Sequence, residues 1–209
     1  ARRAAPTQPG QARGDWEHLS YAQAWAKAQA IAQALIDRGL SAERPVVILS
    51  ENSLEHALMA LGALIAGVAY VPASPPYSLV SQDYDKLHHI MRLCTPGLVF
   101  ASDARYAKAI TAAVPADCEV VLCEGDVAGR SVTRFQTLCD TPVTPAVEAA
   151  RSAITRDTIA KFLFTSGSTK LPKAVINTHG MLTANQQQMV LSMPVLAKKP
   201  LVLIDWLPW

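Results

Sequence analysis

The residues best suited to chemistry lie in one short polar segment, residues 165–173. Four of the five residues 165–169 carry a hydroxyl group, Gly167 lies among them, and Lys170 and Lys173 follow. Backbone N–H groups of a glycine-containing turn form a concave anion site, hydroxyls add rotatable donors, and lysine adds a positive charge. The segment therefore predicts a loop that binds a polyphosphate. The alternative is a solvated, Ser/Thr-rich hairpin turn.

Two other catalytic motifs are excluded for this segment. It lacks the GxxxxGK[ST] frame of the P-loop and leads toward a strand rather than directly into a helix. Ser166 and Ser168 also lack the GxSxG frame of a hydrolase nucleophile. Five histidines are scattered along the chain, and they allow no catalytic triad to be assigned.

Alternating helices and strands must position this loop. A capping box of Ser20 and Gln23 predicts a first amphipathic helix, and Asn52 or Ser53 begins a second, which ends at Gly67. Short apolar runs predict strands at 45–49, 68–71, 98–100 and 120–122, with helices at 81–93, capped by Ser81, and at 104–114. Continuous apolar strands between helices predict an α/β fold, a mainly parallel sheet with helices on both faces.

The polar segment itself lies between two predicted strands, 161–164 and 173–177. A helix capped by Thr178 to about residue 191 and a strand at 201–204 complete the pattern. The signal from 124 to 158 is weak. We expect a disordered tail at 1–14, a first α/β subdomain at 15–145, and the start of a second α/β subdomain, carrying the loop, at 146–209.

Composition excludes several classes of protein. With 50% hydrophobic and 17% charged residues and a net charge of +2, the 209-residue chain can bury a core but has no dense basic face for nucleic acid. No apolar run approaches the roughly 20 residues of a membrane span. Four cysteines match no zinc or redox spacing, and with no sorting signal they favour reduced thiols and a cytoplasmic location.

Five other residues could have a chemical or a structural role. His88 and His89, with Asp83 and Asp85 nearby, could bind a metal, but a solvated helix face is favoured. His179 is interpreted as part of a helix cap. Trp206 and Trp209, on either side of Pro208, are either core residues or the wall of a pocket for an aromatic acid.

The segment FTSGSTKLPKAV, residues 164–175, resembles the ATP-phosphate loop of the adenylate-forming superfamily, which comprises acyl- and aryl-CoA ligases, peptide-synthetase adenylation domains and luciferases. Residues 19–21 and 64–72 are similar to further family motifs in the same order. The chain departs from the family pattern at Lys170 and Ala174, where glycine is usual. Residues 168–179 and 205–209 look most like the feruloyl-CoA synthetase branch.

This resemblance implies two half-reactions: a carboxylic acid and Mg-ATP give an acyl-adenylate, and coenzyme A then gives a thioester. It assigns the ATP phosphates to Thr165, Ser166, Gly167, Ser168, Thr169 and Lys173, with Lys170 as an extra cation of unassigned role. Thr165 would also touch the Mg²⁺ shell. The expected partners are a small carboxylic acid such as ferulate, ATP and CoA, with neither nucleic acid nor membrane, and a homodimer is a candidate assembly.

Family members are more than twice as long, so we expect this chain to be the N-terminal part of a ligase and to be inactive alone. Two alternatives stay open. One is an adenylation domain that loads a carrier protein, and the other is a non-catalytic nucleotide-binding module.

Overall fold

A computed structural model of the chain describes residues 2–3, 16–165 and 171–198. The first two strands, β1 (Arg2–Arg3) and β2 (Trp16–Glu17), form a small antiparallel ladder. The main sheet of the described residues has seven strands: β3 (Val46–Leu49), β4 (Tyr70–Pro72), β5 (Leu98–Ala101), β6 (Glu119–Leu122), β7 (Val132–Arg134), β8 (Ile159–Thr165) and β9 (Lys173–Thr178).

The main sheet has the spatial order β7-β6-β5-β3-β4-β8-β9. Every neighbouring pair is parallel except β8 and β9, which form an antiparallel hairpin at one edge. The predicted α/β class with a mainly parallel sheet is confirmed. Parallel neighbours require crossover connections, and helices supply most of them.

The helices of the described residues connect and cover these strands. They are α1 (Tyr21–Asp37), α2 (Leu54–Ala66), α3 (Pro76–Leu79), α4 (Asp85–Cys94), α5 (Ala107–Ala113), α6 (Phe135–Cys139), α7 (Pro145–Ala153) and α8 (His179–Ser192). Two 3-10 turns, Ala104–Tyr106 and Pro194–Ala197, accompany them. No helix in the described ranges is both long and apolar enough to cross a lipid bilayer.

The two faces of the sheet carry separate apolar cores. Successive strand side chains point to opposite faces, so Val47 and Leu49 pack with α4 and α5, whereas Val46 and Ile48 pack with α1, α2 and α6. All four of these β3 side chains are fully buried. This double burial is why the strand has an unbroken apolar sequence, as expected for a parallel sheet.

Several predicted helix ends are confirmed. The Ser20 Oγ accepts from Gln23 N, and the Gln23 side chain accepts from Ser20 N, which completes the capping box of α1. Ser53 caps α2 through His56 N. The helix ends at Gly67, whose φ of +68° is a left-handed conformation that glycine adopts at little cost.

The prediction that Ser81 caps a helix over 81–93 is wrong. The helix α4 begins at Asp85, after Tyr84 with a φ of +54°. Ser81 accepts from Tyr84 N and donates to Asp83, so its side chain stabilises the turn before the helix. The weak region 124–158 contains the short elements β7, α6 and α7, which the sequence analysis left unassigned.

The strands β8 and β9 lie beyond the predicted subdomain boundary near residue 145. In the structure β8 pairs with β4, so the hairpin extends the same sheet. The boundary itself stays a prediction, as does the tail at 1–14, of which the structure describes only β1.

Candidate functional site

The hairpin β8–β9 brings two of the predicted phosphate-binding residues to one end of the sheet. Because β8 is parallel to β4, its last residue, Thr165, lies at the edge where the parallel strands end. Ligands of open α/β sheets bind outside this carboxyl edge. Of the other predicted residues, Ser166, Gly167, Ser168, Thr169 and Lys170 lie outside the described residues.

Thr165 and Lys173 face each other across the hairpin. They are the last register pair of the β8–β9 ladder, so their side chains share one face of it. Both residues are exposed. A hydroxyl donor and an ammonium group therefore stand side by side at the two ends of the polar segment, both accessible to an anion.

A histidine of α4 contacts both arms of this hairpin. His89 Nε2 lies 3.1 Å from the carbonyl oxygen of Pro172, the buried residue just before β9. The His89 ring also packs edge-on against Phe164, with 6.5 Å between ring centroids and an angle of 87° between the planes. The predicted solvated face is therefore wrong for His89, which is half-buried.

The sequence analysis missed this role of His89. The hydrogen bond joins residues 83 positions apart, and no local pattern marks such a contact. The metal interpretation of His88 and His89 gains no support, because residues 2–3, 16–165 and 171–198 contain no group of three His, Cys, Asp or Glu side chains that could hold a metal.

A largely apolar groove of about 610 Å³ runs between α4 and the hairpin. The side chains of His89, Leu93, Phe162 and Ile176 line it, and Pro172 and Lys173 close the end nearest the polar segment. Val175 and Ile176 of the edge strand are about half exposed. Phe162 and Ile176 are a register pair and form the apolar wall on this face, whereas Lys173 and Val175, at the alternate positions of β9, point to the opposite face.

A smaller cavity of about 180 Å³ lies between the ends of β3, β4 and β8. His56, only 3% exposed, and Phe164 are among its lining residues. His56 Nδ1 lies 3.4 Å from the carbonyl oxygen of Glu51, and burial lowers the pKa of His56 below its usual 6.5. This histidine is therefore neutral at physiological pH.

A third crevice, of about 540 Å³, lies where strand order reverses between β3 and β5. Arg105 lines it and pairs with Asp103 at 2.9 Å and Glu51 at 3.2 Å, and its hydrogen bond lowers the pKa of Asp103. Glu17, Glu55 and Glu124 also line the crevice. Carboxylates outnumber the one cation among these lining residues, and the assignment of the phosphates to the hairpin stays a prediction.

His179 begins α8, and Thr178 is the residue that caps this helix through Met181 N. The His179 backbone N–H donates to Thr158 O, 3.0 Å away. The predicted pocket residues Trp206 and Trp209 lie outside the described residues.

Comparison with known proteins gives a consistent family. A family model described as AMP-binding enzyme matches residues 1–204. Bacitracin synthase 3 of Bacillus licheniformis is 32% identical over 170 residues, which cover 78% of this chain and 2% of that protein. The putative fatty-acid–CoA ligase fadD21 of Mycobacterium leprae is 30% identical over 210 residues, covering 93% of this chain and 33% of that protein.

Among solved structures, a benzoate CoA ligase from Burkholderia xenovorans LB400 has a similar fold, with a TM-score of 0.61 and 22% identity. The match covers 82% of this chain and 31% of that one. The chain thus spans a third or less of the length of these relatives.

Proposed function

The chain belongs to the AMP-binding enzyme family, and from this premise we propose that it supplies part of an ATP-dependent acid:CoA ligase. Its substrate would be a small aromatic acid such as ferulate, and its location the cytoplasm, where ATP and CoA are available. The observation that carries the proposal is the pairing of Thr165 with Lys173 at the two ends of the hydroxyl-rich segment.

In the first half-reaction a carboxylate oxygen of the acid attacks the α-phosphorus of ATP. The bond from that phosphorus to the oxygen bridging the α- and β-phosphates breaks, and pyrophosphate leaves with the electron pair. Negative charge builds up on the phosphates, so fixed donors and cations stabilise the transition state. We assign hydrogen bonding to Thr165, Ser166, Ser168 and Thr169, backbone donation to Gly167, and charge compensation to Lys173.

In the second half-reaction the thiolate of CoA attacks the acyl carbon of the adenylate. The carbon–oxygen bond to AMP breaks, and a thioester forms. A carrier-protein thiol would undergo the same step, and the similarity to bacitracin synthase 3 makes a carrier-loading adenylation domain the second candidate.

Mg²⁺ would supply charge neutralisation on the ATP phosphates. Thr165 is exposed at the carboxyl edge, and its hydroxyl oxygen suits a hard cation. The ion would enter as part of Mg-ATP, with Thr165 in its shell. Lys170 would add a further cation beside the phosphates.

ATP–pyrophosphate exchange by the full-length protein tests the first half-reaction. We expect exchange that depends on Mg²⁺ and is stimulated by ferulate or a related aromatic acid. A protein that shows no exchange with aromatic, fatty or amino acids would contradict the proposal and leave the non-catalytic nucleotide-binding module, which predicts ATP binding without turnover. Thioester formation with CoA or with a phosphopantetheinyl carrier then separates the two acceptor classes.

A further inference from the structure

The contacts of His89 extend beyond packing, because this side chain touches the hairpin near both ends of the polar segment. Phe164 directly precedes Thr165, and Pro172 directly precedes Lys173. A single ring on α4 thus makes an edge contact with one arm and a hydrogen bond with the other. We propose that His89 is a positioning residue, which fixes the two arms so that Thr165 and Lys173 present their polar groups together to the phosphates of ATP. This inference rests on the proposed function.

The position of α4 makes His89 a rigid support. Leu87 and Ile90 are fully buried and Met91 is 3% exposed, and all three pack in the core shared with β3 and β5. His89 is not among the buried residues of α4. The His89 side chain therefore does not contribute to the buried core, while its neighbours in the core fix the helix backbone that carries it.

The hydrogen bond acts where the strand ladder stops. Register pairs of β8 and β9 run from Ile159 and Thr178 to Thr165 and Lys173, and Pro172 lies one residue beyond the last pair. A pair at the end of a ladder frays more readily than interior pairs. His89 supplies the Pro172 carbonyl with a donor at this end, and a proline fixes its own φ, so the bond restrains the start of β9.

Two substitutions of His89 separate its ring contact from its hydrogen bond. His89→Phe keeps an aromatic ring against Phe164 but removes the donor, whereas His89→Gln keeps an N–H donor near the same distance from the backbone. In ATP–pyrophosphate exchange assays of the full-length protein, His89→Phe should raise the KM for ATP about 3- to 10-fold, because one hydrogen bond is lost. The KM for the acid should not change. His89→Gln should stay within about twofold of wild type.

The matched control is His88→Phe, at the neighbouring half-buried position of α4. It should leave both KM values at wild-type levels. An ATP KM that does not change in His89→Phe, or a loss shared equally by both substrates, would overturn the positioning role.

Amide hydrogen exchange tests the same inference without activity. His89→Phe should speed exchange about 3- to 10-fold in segments 162–165 and 172–175, but not in α8 or in β3. If wild-type protein shows no ATP–pyrophosphate exchange, the proposed function fails, while the hydrogen-exchange result still decides whether His89 holds the hairpin. Amide hydrogen exchange that is unchanged in both arms of the hairpin would overturn the inference.

Discussion

At the scale of single residues, the charge of Lys173 gives the sharpest test of the phosphate assignment. Lys173→Ala should raise the KM for ATP about 10- to 100-fold, because it removes a hydrogen bond between charged groups. Lys173→Arg keeps the positive charge and should raise the KM for ATP less than Lys173→Ala does. Steady-state exchange kinetics measure both effects.

The control for Lys173 is Lys108→Ala, on the exposed surface of α5. The KM for ATP of Lys108→Ala should equal that of the wild type. An ATP KM for Lys173→Ala equal to that of Lys108→Ala would contradict a role for Lys173 at the phosphates.

Local sequence predicted some of the candidate site residues and missed another. Thr165 and Lys173 could be predicted because hydroxyls, glycine and lysines occur together in nine consecutive residues. His89 could not, because its partner lies 83 positions away and becomes a neighbour only when α4 and β9 are both in place.

At the scale of elements, helix caps with a local hydrogen bond were predictable. Ser53 lies directly before the apolar stripe of α2 and caps it. Ser81 is also a serine before an apolar stretch, but it does not cap a helix. The left-handed conformation of Tyr84 interrupts the chain, so α4 starts only at Asp85. The elements β7 and α6 escaped prediction because they are only three and five residues long, and Phe135 and Leu138 are buried through packing with α1 and the sheet.

The Ser53 cap can be tested by substitution. Ser53→Ala should lower the free energy of unfolding by about 1 kcal/mol, because His56 N loses its acceptor at the start of α2. Ser53→Asn should keep most of the stability, since asparagine also accepts from the first turn. Urea unfolding of the three proteins measures the difference, and equal midpoints for Ser53→Ala and wild type would contradict the cap.

The close approach of α1 and α2 gives a second test at this scale. A Cβ on Gly62 would lie 2.5 Å from Ile31 Cγ2 and 2.8 Å from Ile31 Cβ. Gly62→Ala should therefore destabilise the protein by about 1–2 kcal/mol, because overpacking outweighs the better helix propensity of alanine.

Ile31→Ala removes the obstructing Cγ2 but keeps the Cβ at 2.8 Å, so it should reduce the cost of Gly62→Ala without abolishing it. In that background Gly62→Ala should destabilise the protein less than it does in the wild type. A double-mutant cycle of urea midpoints shows this coupling. Additive effects of the two substitutions would contradict the proposed contact.

At the scale of the whole molecule, the α/β class was predictable but the strand order was not. Apolar runs between helices indicate a parallel sheet, yet they do not say that β5 lies beside β3 or that β8 lies beside β4. Those pairings join strands far apart in the chain and depend on how both faces are covered. The sequence therefore did not predict that the hairpin forms the outermost strands of the sheet. It also did not predict that Thr165 lies at the C-terminal ends of the parallel strands; both follow from the structure.

The stability of the whole fold should depend on pH through its buried histidines. Burial lowers the pKa of His56 and His179 below the usual 6.5, and His179 Nε2 is buried with no hydrogen-bond partner among the described residues. The unfolded chain therefore takes up protons at a pH where the folded chain does not. Stability is complete well above pH 6.5 and falls as the pH drops below it, by at most about 1.4 kcal/mol per pH unit for each histidine.

Urea unfolding between about pH 5 and pH 8 measures this slope. His56→Gln should flatten it, because the more deeply buried of the two histidines no longer takes up a proton on unfolding. His18→Gln, at an exposed position before α1, should keep the wild-type slope. A slope that is the same in all three proteins would mean that the folded molecule accommodates a charged His56, and that the small cavity between β3, β4 and β8 admits enough water to solvate it.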